Sequence, residues 1–383
     1  MTRWKLGQLR NLLAGASNGT TKDQGDPTET TVAVTRIETI SGGAINLCKV
    51  GYVEDGPELA KYKLTKGDIL FSHINSLPVI GNCALVEECL ELYAGMNLLR
   101  LRPKNTVDAR FLHYTLKSAC FRDRVEAYAK PAVNQASISK STLLGLSVSI
   151  PPLPTQTAIA NYLDRKTAAI DALIEKKERL IEEVRKYQEA VIAEAVAPRE
   201  GWVRQKIKHL VEPLPKSKRP AGDAEVDGDT TFYVSGQQVK KCFGADHLNS
   251  KSVVLATGGT AAIHLAKGSY SYSSDCWALT AKDGMNVDYL WFLLKSKKDQ
   301  IENIGFRGAG IKHLEKDWLL DLEVFVPSIS DQAKISTEVQ TKYDLLESSA
   351  GNAIQCISYL KAFRSALISE AVTGKLPLPA DIQ

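Results

Sequence analysis

No run of eighteen apolar residues occurs anywhere in this chain, so no segment is suited to cross a membrane as a helix. The opening residues, Met1 to Leu13, hold too short an apolar run for a secretory signal, and no cleavage pattern follows. The cytoplasm is therefore the expected compartment. The seven cysteines are scattered and odd in number, without a CxxC pair, which argues against a disulfide framework or a zinc ribbon. Reduced and mostly buried thiols are expected instead. Charge of one sign is also scarce: 48 Lys and Arg against 44 Asp and Glu leave +4. That total permits a nucleic-acid partner without demanding one.

Catalytic signatures are missing too. Ser41-Gly42-Gly43 and Thr257-Gly258-Gly259-Thr260 lack the spacing of a phosphate-cradling loop and read as turns. The Pro151-Pro152 pair follows Ile150, not the Asn or Asp of an adenine-methyltransferase motif. The six histidines do not pair with Cys or Asp at ligand spacing, and Gly-x-Ser-x-Gly is absent. Glu175-Lys176-Lys177 has a nuclease-like look, but its setting is the outer face of a long helix. No catalytic residue and no metal ligand is expected.

What the chain does hold is an internal repeat. The segment from Leu143 aligns with that from Leu319 at an offset of 176: Pro151 with Pro327, Gln156 with Gln332, Ile159 with Ile335. The offset persists without a gap to Val196 and Val372. Upstream, Trp4 matches Trp202, Leu9 matches Ile207 and Leu12 matches Leu210, at an offset of 198. The chain is one module written twice, a variable body followed by a similar tail.

Each tail carries apolar residues at helical spacing. Leu163, Ile170, Val184 and Val191 recur in steps of seven or its multiple, as do Val339, Leu346, Leu360 and Leu367. These eight are the expected seam of a coiled coil, with Leu163 set at position a and Lys177 falling within the same row. The first tail delivers the chain to the second body, and the second can pack only back along the first. An antiparallel two-helix coiled coil with rough two-fold pseudosymmetry follows. In that register Lys177 would lie near Ala353 and either specify register or snorkel to solvent.

The bodies read as mixed and strand-rich. Residues 67–72, 82–86 and 252–257 have the look of strands, and 109–117 and 288–297 of helices, while 17–31 suggests a mobile loop. The fold class is α+β. The expected organisation is a first body over residues 1–152, a central helix over 153–197, a second body over 198–328, a closing helix over 329–374, and a tail over 375–383. Partitioned this way, charge becomes informative. Residues 1–150 carry +4 and residues 201–326 carry +2, whereas the tails together carry −2. Lys61, Lys63 and Lys66, then Arg100, Arg102 and Lys104, then Lys216, Lys218 and Arg219, then Lys295, Lys297 and Lys298 form clusters that could neutralise phosphates.

Leu64-Thr65-Lys66-Gly67-Asp68-Ile69-Leu70-Phe71-Ser72 looks like the LxxGDILFS signature of target-recognition domains in specificity subunits of type I restriction–modification enzymes. Ser137-Ile138-Ser139 with Pro151-Pro152-Leu153-Pro154-Thr155-Gln156 is similar to the junction into that family's central helix, and Leu367 to Leu376 to its closing LIxxxVTGK motif. The second body has only Ser252 to Thr260 in place of GDILFS, and Thr155 and Asp331 stand where the family often has Glu before the Gln. Asp331 is expected to cap its helix, Thr155 less strongly.

The resemblance implies a non-catalytic subunit whose two recognition domains each read half of a bipartite site on double-stranded DNA, with the coiled coil fixing the gap. Two modification subunits would dock along the helices, and ATP-dependent restriction subunits would join them. S-adenosylmethionine, ATP and Mg²⁺ would sit on those partners, none on this chain. Base and phosphate contacts call for polar and basic side chains just beyond the strands. The candidates are Arg36, Lys61, Lys63, His73, Asn75, Lys130, Asn134 and Gln135 in the first body. In the second they are Lys216, Lys218, Arg219, Gln237, Gln238, Lys240, Arg307 and Lys312. Two rival readings stay open: a self-sufficient methyltransferase or nuclease with an unrecognised site, and a coiled-coil scaffold whose bodies bind protein.

Overall fold

The computed structural model describes residues 4–77, 79–132, 135–244, 248–310 and 312–376. The chain forms two units. The first comprises Met1–Lys176 with Cys356–Gln383, and the second comprises Lys177–Gln355. Two long helices, Leu153–Ala195 and Ile329–Thr373, each contribute residues to both units.

In the first unit a four-stranded antiparallel sheet has the order Leu13–Asn18, Leu99–Pro103, Ile69–Phe71, Cys83–Leu85. The GDILFS run makes one of the two inner strands of this sheet. Gly67 turns the chain into it at φ +93°, a left-handed conformation that glycine adopts without a Cβ clash. Asp68, 1% exposed, accepts from the Thr65 N–H at 3.0 Å and so closes the same turn. Ile69, Leu70 and Phe71 are buried on both sheet faces, which is why the segment reads as a continuous apolar run without alternation. The stretch after Asn18, expected to be mobile, is tied down: Thr20 and Gly25 donate backbone N–H groups to Ala94 and Tyr52 at 2.8 and 3.0 Å.

The second unit repeats this topology. Its sheet runs Val211–Pro213, Cys276–Ala281, Ser252–Ala256, Ile263–Ala266, so that both units take their strands in the chain order first, fourth, second, third. Pro213, which cannot donate to a ladder, lies on an edge strand. Each unit also joins its first strand to the strand that precedes its long helix. Lys5–Gln8 pairs with Ser147–Ile150, and Val203–Lys206 pairs with Glu323–Val326. Prolines at Pro151 and Pro327 end those pairings and hand the chain to the helix. The cap of the second long helix is Ser328, not Asp331 as expected. The Ser328 hydroxyl accepts from the Asp331 N–H at 3.2 Å and donates to the Asp331 carboxylate at 2.7 Å.

One helix in each body packs between sheet and long helices. Ala109–Lys117 is capped by Asp108, whose carboxylate accepts from the N–H groups of Arg110 and Phe111. Val287–Ser296 is capped by Asn286, and Tyr289 to Leu294 are buried without interruption, so this helix is apolar around its whole circumference.

The seam follows heptads, with a change of phase. All eight expected seam residues are buried or half-buried. Interleaved with the first series are the buried Thr167, Ile174, Ile181 and Gln188, each four residues after a seam residue or Lys177 and three before the next. That spacing puts Leu163 at position d, with the second row at a. Thr167, Gln188 and, on the other helix, Ser336 escaped a pattern that counted only apolar side chains. In the second unit Gln188 donates to Glu347 at 3.0 Å, and Ile192 and Val196 share a core with Val339 and Ile335. The end of one helix therefore meets the start of the other, which is the antiparallel sense. In the first unit Arg364 pairs with Asp171 at 2.9 Å. Lys177 is half-buried at a d position.

Lys295, read from sequence as part of a phosphate-binding cluster, is instead half-buried against the second long helix. Its Nζ donates to the Tyr343 hydroxyl at 2.5 Å and lies 4.6 Å and 4.5 Å from the ring centroids of Trp291 and Tyr343. Burial pushes its pKa down to about 8, partly offset by Glu347. Between that value and the ordinary 10.5 the unfolded chain holds a proton that the folded chain releases, so stability rises with pH across this window and the gain is absent below it. Lys295→Met is expected to flatten that rise by about 1 kcal/mol or more. Urea midpoints of both proteins at pH 7 and pH 10 measure it, and parallel pH profiles would refute the assignment.

Candidate nucleic-acid interface

Beyond its central sheet each unit carries a short hairpin. In the first, Lys130–Ala132 pairs with Gln135–Ser137, and the latter also pairs with Ile74–Asn75. In the second, Phe306–Arg307 pairs with His313–Leu314. The hairpins are anchored identically, by backbone bonds to the residue that follows or nearly follows an inner sheet strand. Ile138 donates its N–H to the His73 carbonyl at 2.9 Å, and Leu314 donates to the Thr257 carbonyl at 3.0 Å. Ile138 and Leu314 are 176 apart, the offset of the repeat.

Register then makes an identification that sequence alignment missed. Lys130 lies opposite Ser137, and Arg307 lies opposite His313. Ser137 and His313 correspond, so Lys130 and Arg307 occupy one position in the two modules, and both are exposed. The loops between them differ by one residue, which breaks the constant offset and hides the match.

The hairpins gather His73, Asn75, Lys130 and Gln135 in the first unit, and Arg307 and Lys312 in the second. Asn134 lies outside the described residues. Asn75 pairs with Ala136 across the sheet, its side-chain amide donating to the Ser72 hydroxyl at 3.4 Å and accepting from the Ser76 N–H at 2.8 Å, and the Lys312 carbonyl accepts from the Gly259 N–H at 3.1 Å. The exposed Arg307 guanidinium pairs through Nη1 with Glu315 at 3.2 Å and donates from Nε to the Ile304 carbonyl at 3.3 Å. His73 differs from expectation: it is buried, its Nδ1 has no hydrogen-bond partner among the described residues, and burial lowers its pKa, so the ring is neutral near pH 7 and adds no positive charge. Its contribution to the site is the backbone carbonyl.

A second group lies outside the hairpins in each unit. Arg36 follows Thr31–Thr35 and donates to Gln24 at 2.5 Å; Lys61 lies 4.9 Å from the Tyr62 ring centroid; Lys63 pairs with Glu91 at 2.6 Å. In the second unit Gln238 and Lys240 are exposed beside the strand Lys240–Cys242, while Gln237 donates to the Ala261 carbonyl at 3.1 Å. Lys216 and Lys218 are exposed. Arg219 is committed to the fold: it donates to Cys242 Sγ at 3.2 Å and to the Phe243 carbonyl, and its guanidinium lies 5.8 Å from the Phe232 ring centroid.

The cluster Arg100, Arg102 and Lys104 is likewise structural, not phosphate-facing. Arg100 donates to the carbonyls of Lys61 and Lys63 and to Ser17, Arg102 forks onto Asp68, and Lys104 donates to the Asn11 carbonyl. A run of alternating cations on one strand puts them on one sheet face, where carbonyls and a buried carboxylate claim them. One cation went unnoticed in sequence. Lys316 begins the helix after the second hairpin, 5.0 Å from the Trp277 ring centroid, and its pKa is lowered by burial and by neighbouring Lys216. Among the described residues, no group of three or more His, Cys, Asp or Glu could hold a metal ion, and no helix is long and apolar enough to cross a membrane.

Comparisons with known proteins agree with the duplicated plan. The family model for the type I restriction modification DNA specificity domain matches residues 4–183 and again residues 200–355. A Methanocaldococcus jannaschii protein named as the MjaX type I restriction enzyme specificity subunit is 43% identical over 164 residues, 42% of this chain and 38% of that protein. The Escherichia coli type I restriction enzyme EcoDI specificity subunit is 25% identical over 175 residues, 46% of this chain and 38% of that protein. The chain thus matches 38% of the length of each of these relatives. Among solved structures, a chain from work on complex assembly and conformational transition of the type I R-M system has a TM-score of 0.74 at 14% identity, covering 98% of this chain and 99% of that one. The HsdS subunit of Thermoanaerobacter tengcongensis has a TM-score of 0.54 at 14% identity, covering 98% of each chain. These structural likenesses concern the fold alone, whereas the family model, matched twice and over most of the chain, shows that the chain belongs to the family of type I restriction–modification DNA specificity proteins.

Proposed function

We propose that this chain is the DNA sequence-recognition subunit of a type I restriction–modification complex. Each body reads one half of a bipartite target, and the paired long helices set the spacer. The observation that carries the reading is the register match of Lys130 with Arg307 on duplicated, exposed hairpins: one cation in one place in each module suits one read-out per half-site. The long helices would dock two modification subunits, with restriction subunits joining the complex. Exposed apolar residues support a protein-facing role for them: Leu173 and Leu180 on the first, Leu345, Ile354 and Phe363 on the second. Chemistry, with S-adenosylmethionine, ATP and Mg²⁺, belongs to those partners in this reading, and the chain acts without catalysis in the cytoplasm.

Lys130→Ala and Arg307→Ala are each expected to weaken binding to the cognate site by ~1–3 kcal/mol without unfolding the chain. A base contact would relax sequence preference in one half-site only; a phosphate contact would lower the salt slope of binding by about one. Competition binding on randomised duplexes at several salt concentrations distinguishes these. Cognate affinity, preference and slope all unchanged in both variants would remove the hairpins as the interface.

A further inference from the structure

Gln156 and Gln332 stand at the fourth residue of their long helices and are 2% and 1% exposed. Each amide bridges its helix start to the cap of the body helix in its own unit. Gln156 Oε1 accepts from the Asp108 N–H at 3.0 Å while its Nε2 donates to the Pro151 carbonyl at 2.9 Å. Gln332 Oε1 accepts from the Asn286 N–H at 2.8 Å while its Nε2 donates to the carbonyls of Pro327 at 3.0 Å and Gly284 at 3.1 Å. Asp108 and Asn286 are the N-caps of Ala109–Lys117 and Val287–Ser296.

Only a primary amide of this length can do this. Asparagine is one methylene short, and glutamate accepts but cannot donate to carbonyls when ionised. The arrangement recurs in two bodies whose intervening sequences have diverged, so it does not depend on a particular recognition surface. A further contact farther along the body helix fixes its rotation: Tyr114 donates to Asp164 at 2.8 Å in the first unit, and Lys295 donates to Tyr343 at 2.5 Å in the second.

We propose that Gln156 and Gln332 are positioning residues for target spacing, each locking a recognition body to its long helix so that the hairpin is presented at one angle. This rests on the DNA-reading function proposed above. The two halves of a target must then lie a set distance apart, because neither body can swing to reach a displaced half-site.

The test uses the assembled methylating complex carrying Q156E, Q332E or both, on a library of duplexes with randomised half-sites and varied spacers. The expected result is unchanged half-site sequences with spacer selectivity relaxed, methylation on spacers one base pair longer or shorter rising several-fold relative to the preferred length. Selectivity for spacer as sharp as in the unsubstituted complex would overturn the proposal, as would joint loss of sequence and spacer preference. Failure of the unsubstituted complex to select any bipartite sequence would instead bring down the function itself, and the positioning role with it. Should the variants not assemble, amide exchange on the isolated chain decides. Faster exchange confined to 284–296 and 327–332 in Q332E supports a local lock, and loss of protection throughout the second unit refutes it.

Discussion

Asp68→Ala is expected to cost the first unit about 3–5 kcal/mol. The carboxylate is almost wholly buried and accepts four hydrogen bonds: from Arg102 Nε and Nη2 at 2.7 Å each, and from the Thr65 N–H and hydroxyl at 3.0 and 3.1 Å. Alanine leaves the Thr65 N–H unpaired at the turn that launches the central strand. It also leaves Arg102 facing Arg100, whose pKa is already lowered by burial and then by Arg102. Asp68→Asn keeps the turn acceptor but surrenders the charge, so an intermediate loss is expected. Urea denaturation of the three proteins measures both, and a cost below about 1 kcal/mol for alanine would show the pair to be solvent-screened in the manner of a surface bridge.

Phe292→Ala should cost the second unit a similar ~3–5 kcal/mol by a different route. The ring is fully buried, 4.8 Å from the Trp291 centroid and 6.4 Å from that of Tyr343. Its removal opens a cavity where the body helix meets the second long helix, and the rigid helices on either side limit collapse. Phe292→Leu fills most of the space and should lose far less. Equal losses for the two variants, followed by thermal and urea unfolding, would point to loss of a specific ring contact in place of cavity formation.

Much of the fold was legible in the sequence. The GDILFS run, the body helices and both long helices fall within a few residues of their expected bounds, because burial writes strong periodicities into sequence. The site was legible only in part. Lys130 and Arg307 were recognisable as exposed cations, but their equivalence required strand register, since a one-residue difference in loop length removes it from a constant-offset alignment. Arg100, Arg102, Arg219 and Lys295 looked like Lys130 in sequence and proved to be held by carbonyls, a carboxylate, a thiol and aromatic rings. Nothing local separates a cation that faces solvent from one that faces a partner distant in sequence.

By itself, then, the sequence determined that one module is written twice, that each module ends in a heptad helix, and that positive charge is concentrated in the bodies. These are properties of spacing and composition, carried by neighbours along the chain. Tertiary structure alone decided which cations remain free to meet an anion, which polar residues complete the seam, and that two glutamine amides tie each body helix to its long helix. Those outcomes rest on hydrogen bonds between residues distant along the chain, 23 positions for Arg219 to Cys242 and 46 for Asn286 to Gln332, whose directional partners are chosen only when the chain has folded.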